Sequence, residues 1–288
     1  RIGESRATRS AVLPGQALAV LDPAARLILD IVPCEDAHAQ ERALVEQLFA
    51  SVAAGQVWVA GRNFCTTRML FGVIRRGAYF VVRQHRSTLH WRALGPFRPR
   101  GRADTGRASE QAVELSDPLA GETVTARRIK LELDEPTEDG ETEILILTNL
   151  PGEGDGAVSA GQVAQVYHGR WTIEHAFQDL AVALRGEVDT LGYPRAALFA
   201  FAVAVAAYNL VALVLAALGA VHGHDKVEAD VSTYHLAREW AATYPGMAIA
   251  VGPRAWAGYA AHALDDAAFA GVLTDLAEAA DLRKYRKA

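Results

Sequence analysis

The sequence predicts an α/β protein, and three observations carry that expectation. Short apolar runs of strand character recur in the first third of the chain, at 17–22, 27–32, 57–60 and 78–83. Between and after them, apolar residues return every three or four positions, as on one face of a helix. A strand-rich block, 129–147, then separates these early segments from a long helical run that opens at Ser159. The order is strand, strand, helix, strand, helix, strand, β-rich insertion, long helix.

Each element has a local reason. ALAVLD (17–22) and LILDIV (27–32) are split by a turn at Asp22-Pro23, which reads as a β-hairpin. From Asp36 the period changes: Leu44, Val45, Leu48, Phe49 and Val52 share a helical face, with Gly55 placed as a C-terminal cap. VWVA (57–60) is a short buried strand. The segment after it is helical to about Arg76, and Gly77 introduces the strand AYFVVR (78–83). Ile129, Leu131 and Leu133 alternate with Lys130, Glu132 and Asp134, as in a half-exposed strand. Glu135–Gly140 is a turn and Ile144–Leu147 a buried strand. Ser159 with Gln162 forms a capping box. Val166, Ile173, Phe177, Leu180 and Leu184 then share one helical face up to Gly186. The tail from about Lys226 is Ala-rich and helical in tendency.

Composition bounds the function. Twenty-nine Lys and Arg against 34 Asp and Glu give a net charge of −5, and 51% of residues are hydrophobic. That combination excludes a disordered chain and argues against a wholly basic nucleic-acid binder, while leaving room for local patches. Cys34 and Cys65 cannot form a disulfide framework and read as core thiols in a reducing compartment. The chain opens on Arg1 and its only methionines are Met69 and Met247, so it reads as a piece of a longer product. Residues 196–221 carry no charge and are long enough for a membrane span. Tyr208 and Asn209 near the centre, and the alanine content, speak instead for a helix buried on all sides of a soluble domain.

Tyr167, Arg170 and Glu174 stand three and four residues apart, which on a continuous helix forms one polar stripe. Spacing alone favours a surface ion pair, although Arg before Glu is the poorer orientation for one. No Walker or dinucleotide glycine loop is present, and His222-Gly-His224 lacks companion zinc ligands and reads as a loop.

Five motifs occur in order: PCEDAHAQE (33–41), GRNFC (61–65), GAYFVVRQH (77–85), YHGRWTIEHAF (167–177) and TLGYPRAALF (190–199). Together they resemble the DDE transposases of bacterial insertion sequences, of the family-four type, over roughly residues 7–223. The tyrosine–arginine–glutamate signature of that family falls on Tyr167, Arg170 and Glu174. The resemblance implies a ribonuclease-H-like mixed sheet flanked by helices, with a β-rich insertion before the last catalytic helix. It divides the chain into 1–85, the first half of the catalytic domain without its first strand; 86–150, a basic insertion; 151–223, the second half with the glutamate helix; and 224–288, a helical tail. It further implies two magnesium ions on three carboxylates, Glu174 among them, with hydrolysis at element ends followed by attack of the freed 3′-hydroxyl on target DNA. Arg170 and Tyr167 would position phosphate.

The chain departs from that pattern. The position of the family's second aspartate is Gly61, the first belongs upstream of Arg1, and the lysine seven residues after the glutamate is Ala181. Asp22 reads as a turn residue rather than a substitute ligand. One carboxylate cannot hold two magnesium ions, so the expectation is an inactive copy.

DNA remains the expected partner. Residues 83–107 hold seven arginines and one acid, Asp104, with Trp91 and Phe97 interleaved. That pattern reads either as a solvated loop or as a phosphate-binding strip. The DNA-binding candidates are Arg62, Arg83, Arg86, Arg92, Arg98, Arg100 and Arg102, with Trp91 for base stacking. A homodimer pairing two element ends, no membrane partner and a cytoplasmic, nucleoid-associated location complete the expectation. The rivals are a non-catalytic DNA-binding remnant, a magnesium-dependent nuclease of the same fold and a single-span membrane protein.

Overall fold

The computed structural model describes residues 16–36, 38–85, 89–137, 139–182, 193–250, 252–255, 257 and 265–287. They form two compact units, one joining the residues up to 37 with those from 173 onward, the other spanning 38–172. The architecture is the expected α/β class, a mixed sheet flanked by helices, consistent with a ribonuclease-H-like fold.

In the first unit, β1 (Gln16–Asp22) and β2 (Leu27–Cys34) pair as the expected antiparallel hairpin. Asp22 is a turn residue: its Oδ1 accepts the N–H of Ala24 at 2.9 Å and of Ala25 at 3.4 Å.

The second unit holds α1 (Val45–Leu48), β3 (Val57–Ala60), α2 (Thr67–Ile74), β4 (Tyr79–Arg83), β5 (His90–Ala93), β6 (Arg98–Ala103), β7 (Gly106–Asp117), β8 (Glu122–Leu133), β9 (Glu143–Thr148) and α3 (Ala160–His168). The helix expected through Val52 is only one α-turn, preceded by a 3₁₀ turn at Glu41–Ala43, although Leu44, Val45, Leu48 and Phe49 are buried as the pattern requires. The strands form one sheet in the order β3-β4-β9-β8-β7-β5, with β6 sharing the β7 edge. Among the described strands only β3 and β4 run parallel, which is why a helical crossover, α2, lies between them. The block expected as an insertion therefore extends the same sheet through the long β7–β8 hairpin.

Alternation along these strands makes two faces. One carries Val81, Ala108, Ile129, Leu131 and Ile146 and packs on Val163, Ala164 and Tyr167 of α3. The other carries Phe80, Val82, Val113, Ala126 and Leu147 and packs on Met69, Phe71 and Val73 of α2. The cap of α3 is as expected: Ser159 Oγ accepts from Gln162 N at 3.2 Å, and Gln162 Oε1 accepts from Ser159 N at 2.8 Å.

Arg127 on β8 ties the connection into α3. Its Nε and Nη2 donate to Glu110 at 3.0 and 2.9 Å, and its Nη1 donates to the carbonyls of Leu150, Pro151 and Val158 at 3.3, 3.2 and 2.8 Å. Those hydrogen bonds hold the Glu110 carboxyl below its usual range. The pair therefore stabilises the fold above about pH 4.5 and its contribution is lost as pH falls through the lowered value. In Glu110→Gln that pH dependence should vanish. Urea titrations from near neutral pH to well below the usual glutamate range should show the stability gap between wild type and variant closing as acid is added.

The helices of the first unit are α4 (Thr172–Val182), α5 (Pro194–His222), α6 (His224–Asp230), α7 (Thr233–Ala250) and α8 (Asp266–Ala279). The His222-Gly-His224 loop is a single glycine, Gly223 at φ +96°, between α5 and α6. Helix α5 is long and apolar enough to cross a membrane, and 33% of its most apolar stretch is buried. Burial on all sides is not met, since Phe199 is 72% exposed and Val203 53%. Its central polar residues are engaged by the hairpin. Asn209 accepts from Ile28 N at 2.9 Å and donates to Ile28 O at 2.8 Å, and the Tyr208 hydroxyl donates to Arg26 O at 2.8 Å. Asn209→Leu should cost about 1–3 kcal/mol by stranding two buried backbone groups. It should lower the urea midpoint at constant slope, whereas an unchanged midpoint would show that this pairing does not hold the hairpin to α5.

Candidate functional site

Gly61 ends β3 at the sheet edge. Ala60 pairs with Val82, so Gly61 is level with Arg83 at the end of the parallel strand β4. Its backbone is extended, φ −75° and ψ 177°, and a Cβ there would meet nothing within 4 Å. Around it, Glu141 gathers two of the expected DNA contacts: Arg62 Nη1 lies 3.3 Å from its Oε1, and Arg83 donates to its Oε2. The edge that offers no carboxylate at 61 is thus built from two guanidinium groups on one glutamate.

Tyr167, Arg170 and Glu174 do not lie on one continuous helix. Helix α3 stops at His168, a 3₁₀ turn covers Gly169–Trp171, and α4 starts at Thr172. A 3₁₀ turn advances about 120° per residue, against the roughly 100° of an α-helix. Tyr167 is buried against the sheet at 7% exposure, whereas Val166, expected on the apolar face, is exposed. The Arg170 guanidinium lies 4.7 Å from the Trp171 ring centre and 6.0 Å from that of Tyr167. Glu174 is exposed in the first turn of α4, in the other unit. Of the expected apolar face, Phe177 stacks on Phe201 at 6.4 Å, while Leu184, Gly186 and the Leu180 side chain lie outside the described residues.

The arginine strip is two strands, not a loop. Arg92 on β5 is bidentate to Glu114 of β7, at 2.7 and 3.1 Å. On β6, Arg100 reaches Glu110 at 3.4 Å and Arg102 reaches Asp134 at 2.5 Å, while the exposed Arg98 makes no ion pair among the described residues. Arg86 lies outside the described residues. The sequence window showed one acid because the other carboxylates arrive from neighbouring strands.

Trp91 and Phe97 flank a residue that the sequence reading did not single out. The Arg128 guanidinium lies 4.6 Å from the Trp91 ring centre and 5.3 Å from that of Phe97. It donates to Gln84 at 2.6 Å and Gln111 at 3.1 Å, and no carboxylate pairs with it among the described residues. Burial lowers its pKa from the usual arginine value. Only the alternation of Arg128 and Lys130 with Ile129 and Leu131 could have signalled it.

Of the two thiols, Cys65 is buried and its pKa is pushed up to about 11 by burial; Cys34 is only half-buried and donates to Asp36 O at 3.4 Å. Among the described residues, no group of three or more His, Cys, Asp or Glu could hold a metal ion. Glu174 alone does not fit a two-ion centre.

Residues 14–210, more than half of the chain, match the family described as Transposase DDE domain, and the chain belongs to that family. No curated protein matches the sequence. Members of the family generally use a divalent metal and act on DNA in transposition.

Because the space at Gly61 is open, Gly61→Asp should fold with its stability changed by no more than about 0.5 kcal/mol. A drop in melting temperature of many degrees would show that this edge cannot carry a carboxylate.

Proposed function

We propose that this chain is a degenerate DDE transposase of the family-four insertion-sequence type, one that binds DNA through the basic strands of its seven-stranded sheet and does not cut it. The observation that carries the loss of cutting is Gly61, which leaves the end of β3 without a ligand where the family resemblance places its second aspartate. Glu174 remains as a metal-ligand candidate, with Arg170 and Tyr167 as phosphate-positioning candidates, and magnesium as the ion an intact relative would hold.

Binding is supported by chemistry rather than by net charge. Arg92, Arg98, Arg100 and Arg102 lie on β5 and β6, both paired to the same side of β7. Arg98 makes no ion pair among the described residues. The Arg102–Asp134 pair is exposed and worth only about 0–1 kcal/mol, so a polyanion can displace it, whereas Arg92 and Arg100 are held by the less exposed Glu114 and Glu110. Arg62 and Arg83 would extend the contact along the β3–β4 edge, and Arg86 follows Arg83 by three residues in sequence. Self-association on paired element ends and a nucleoid-associated location belong to the same proposal. The membrane alternative has the length of α5 in its favour, yet the hydrogen bonds from Asn209 and Tyr208 to the hairpin speak for a scaffold role.

Fluorescence anisotropy with labelled duplex DNA tests the binding. Four phosphate contacts would make affinity fall about a hundredfold between 50 and 200 mM salt. Arg98→Ala with Arg102→Ala should flatten that dependence, and weak, salt-independent binding would refute the reading. Supercoiled plasmid incubated with magnesium or manganese should stay uncut. Nicking that disappears in Glu174→Gln would overturn the claim of degeneracy.

A further inference from the structure

Strands β3 and β4 are the one parallel pair among the described strands, and they end at the same rim of the sheet. In open α/β sheets, ligands bind in the crevice outside the carboxyl ends of such strands. Two arginines stand on that rim. Arg62 opens the 3₁₀ turn that follows β3, and Arg83 is the last residue of β4.

Two guanidinium groups that converge repel each other unless an anion lies between them. Here the anion is Glu141. Arg62 Nη1 is 3.3 Å from its Oε1, and Arg83 Nη2 donates to its Oε2. Neither arginine pairs with another carboxylate among the described residues, so two positive charges share one negative. Two guanidinium groups, each on its own oxygen of one anion, can hold a phosphate in the same way. The Arg62 side chain is 51% exposed, whereas that of Arg83 is 19% exposed with its Nη2 taken by Glu141. A ligand arriving from water therefore meets Arg62 and must move Glu141 to reach Arg83.

The carboxylate is mounted so that it can leave. Glu141 closes the turn from β8 to β9, and backbone groups hold that turn. Thr137 N donates to Glu141 O at 2.9 Å, Glu141 N to Thr137 Oγ1 at 3.1 Å, and Gly140 N to Thr137 O at 2.7 Å. None of these bonds uses the Glu141 side chain. Its carboxylate can swing away without opening the turn or the β8–β9 ladder.

We propose that Glu141 is a tethered stand-in for phosphate, filling an oxyanion site made by Arg62 and Arg83 until a phosphate displaces it. This deepens the DNA-binding reading above and rests on it for the backbone phosphate as the incoming group. A free phosphate ion offers the same chemistry.

The test titrates the full chain with labelled duplex DNA and compares melting temperatures in phosphate and chloride at equal ionic strength. Glu141→Gln should raise DNA affinity about tenfold, the size of a hydrogen bond to a charged group. Glu141→Asp keeps the charge but falls one methylene short of the arginines, and it should raise affinity in the same direction. Asp139→Asn is the control: Asp139 is exposed on the same turn and makes no ion pair among the described residues, so its loss should matter far less. Glu141→Gln should also melt higher in phosphate than in chloride, and adding Arg83→Gln should remove both gains. Equal gains from Glu141→Gln and Asp139→Asn would mean that net charge alone acts, and would overturn the proposal. Unchanged affinity in both Glu141 variants, with DNA still bound by the wild type, overturns it and leaves the DNA reading intact. Stabilisation of Glu141→Gln by phosphate, with no DNA bound by any form, assigns the site to free phosphate and overturns only the DNA reading. Absence of both responses overturns both.

Discussion

A buried guanidinium must find acceptors for its donors, and Arg127 meets that constraint by drawing four elements of the second unit together. Its two donors to Glu110 fix the β7–β8 ladder from the side, and a third nitrogen collects the carbonyls of Leu150, Pro151 and Val158. Those carbonyls belong to the link between β9 and α3. Without the guanidinium the Leu150 and Val158 carbonyls would lose this donor, while Pro151 O would keep only its bond from Val158 N. The capping box at Ser159 follows directly after Val158, so the direction of α3, and the burial of Tyr167 beneath it, depend on this one side chain. Gly152 shows how close the packing is: a Cβ there would meet Arg127 Nε at 2.8 Å.

Much of the fold was legible in the sequence because it rests on local pattern. The hairpin at 17–32, the strands at 57–60 and 78–83 and the Ser159 cap are each determined by residues within a few positions. The unforeseen features are those set by partners far along the chain. The 3₁₀ turn at Gly169–Trp171 separates two helices that belong to different units, which no helical periodicity reveals. The arginine strip left a solvated loop open as an alternative because its carboxylates, Glu110, Glu114 and Asp134, lie outside the window that defines it. The candidate site divides the same way. That Gly61 follows a strand was legible from the short apolar run before it, whereas the surroundings of Arg128 depend on strand register.

Helix α5 illustrates a pattern with two physical solutions. An uncharged stretch of this length can be buried in lipid or against protein, and composition does not separate them. Tyr208 and Asn209 have polar atoms that need partners anywhere outside water. The hairpin supplies three: Arg26 O, Ile28 N and Ile28 O. Ile28 itself packs with Phe201, Val205 and Ala212 of α5, so the polar and apolar contacts reinforce one register.

A net-acidic chain can still present a surface to a polyanion, because what matters is how firmly each cation is already held. Arg127 is 12% exposed and shares its charge with an equally buried Glu110, so releasing it would strand a carboxylate out of water. Arg102 and Arg107 are 62% and 75% exposed, and their carboxylates are nearly as open, so both partners are rehydrated when the pair opens. The same sheet therefore carries structural cations on the face packed against α3 and exchangeable ones along β6 and the start of β7. Arg128 is a third kind, half-buried among aromatic rings and amides, with no ion pair among the described residues and Glu143 as the acid whose charge acts on it. In the DNA complex proposed above, exchange of carboxylate for phosphate at Arg102 and Arg107 would proceed with little loss of solvation.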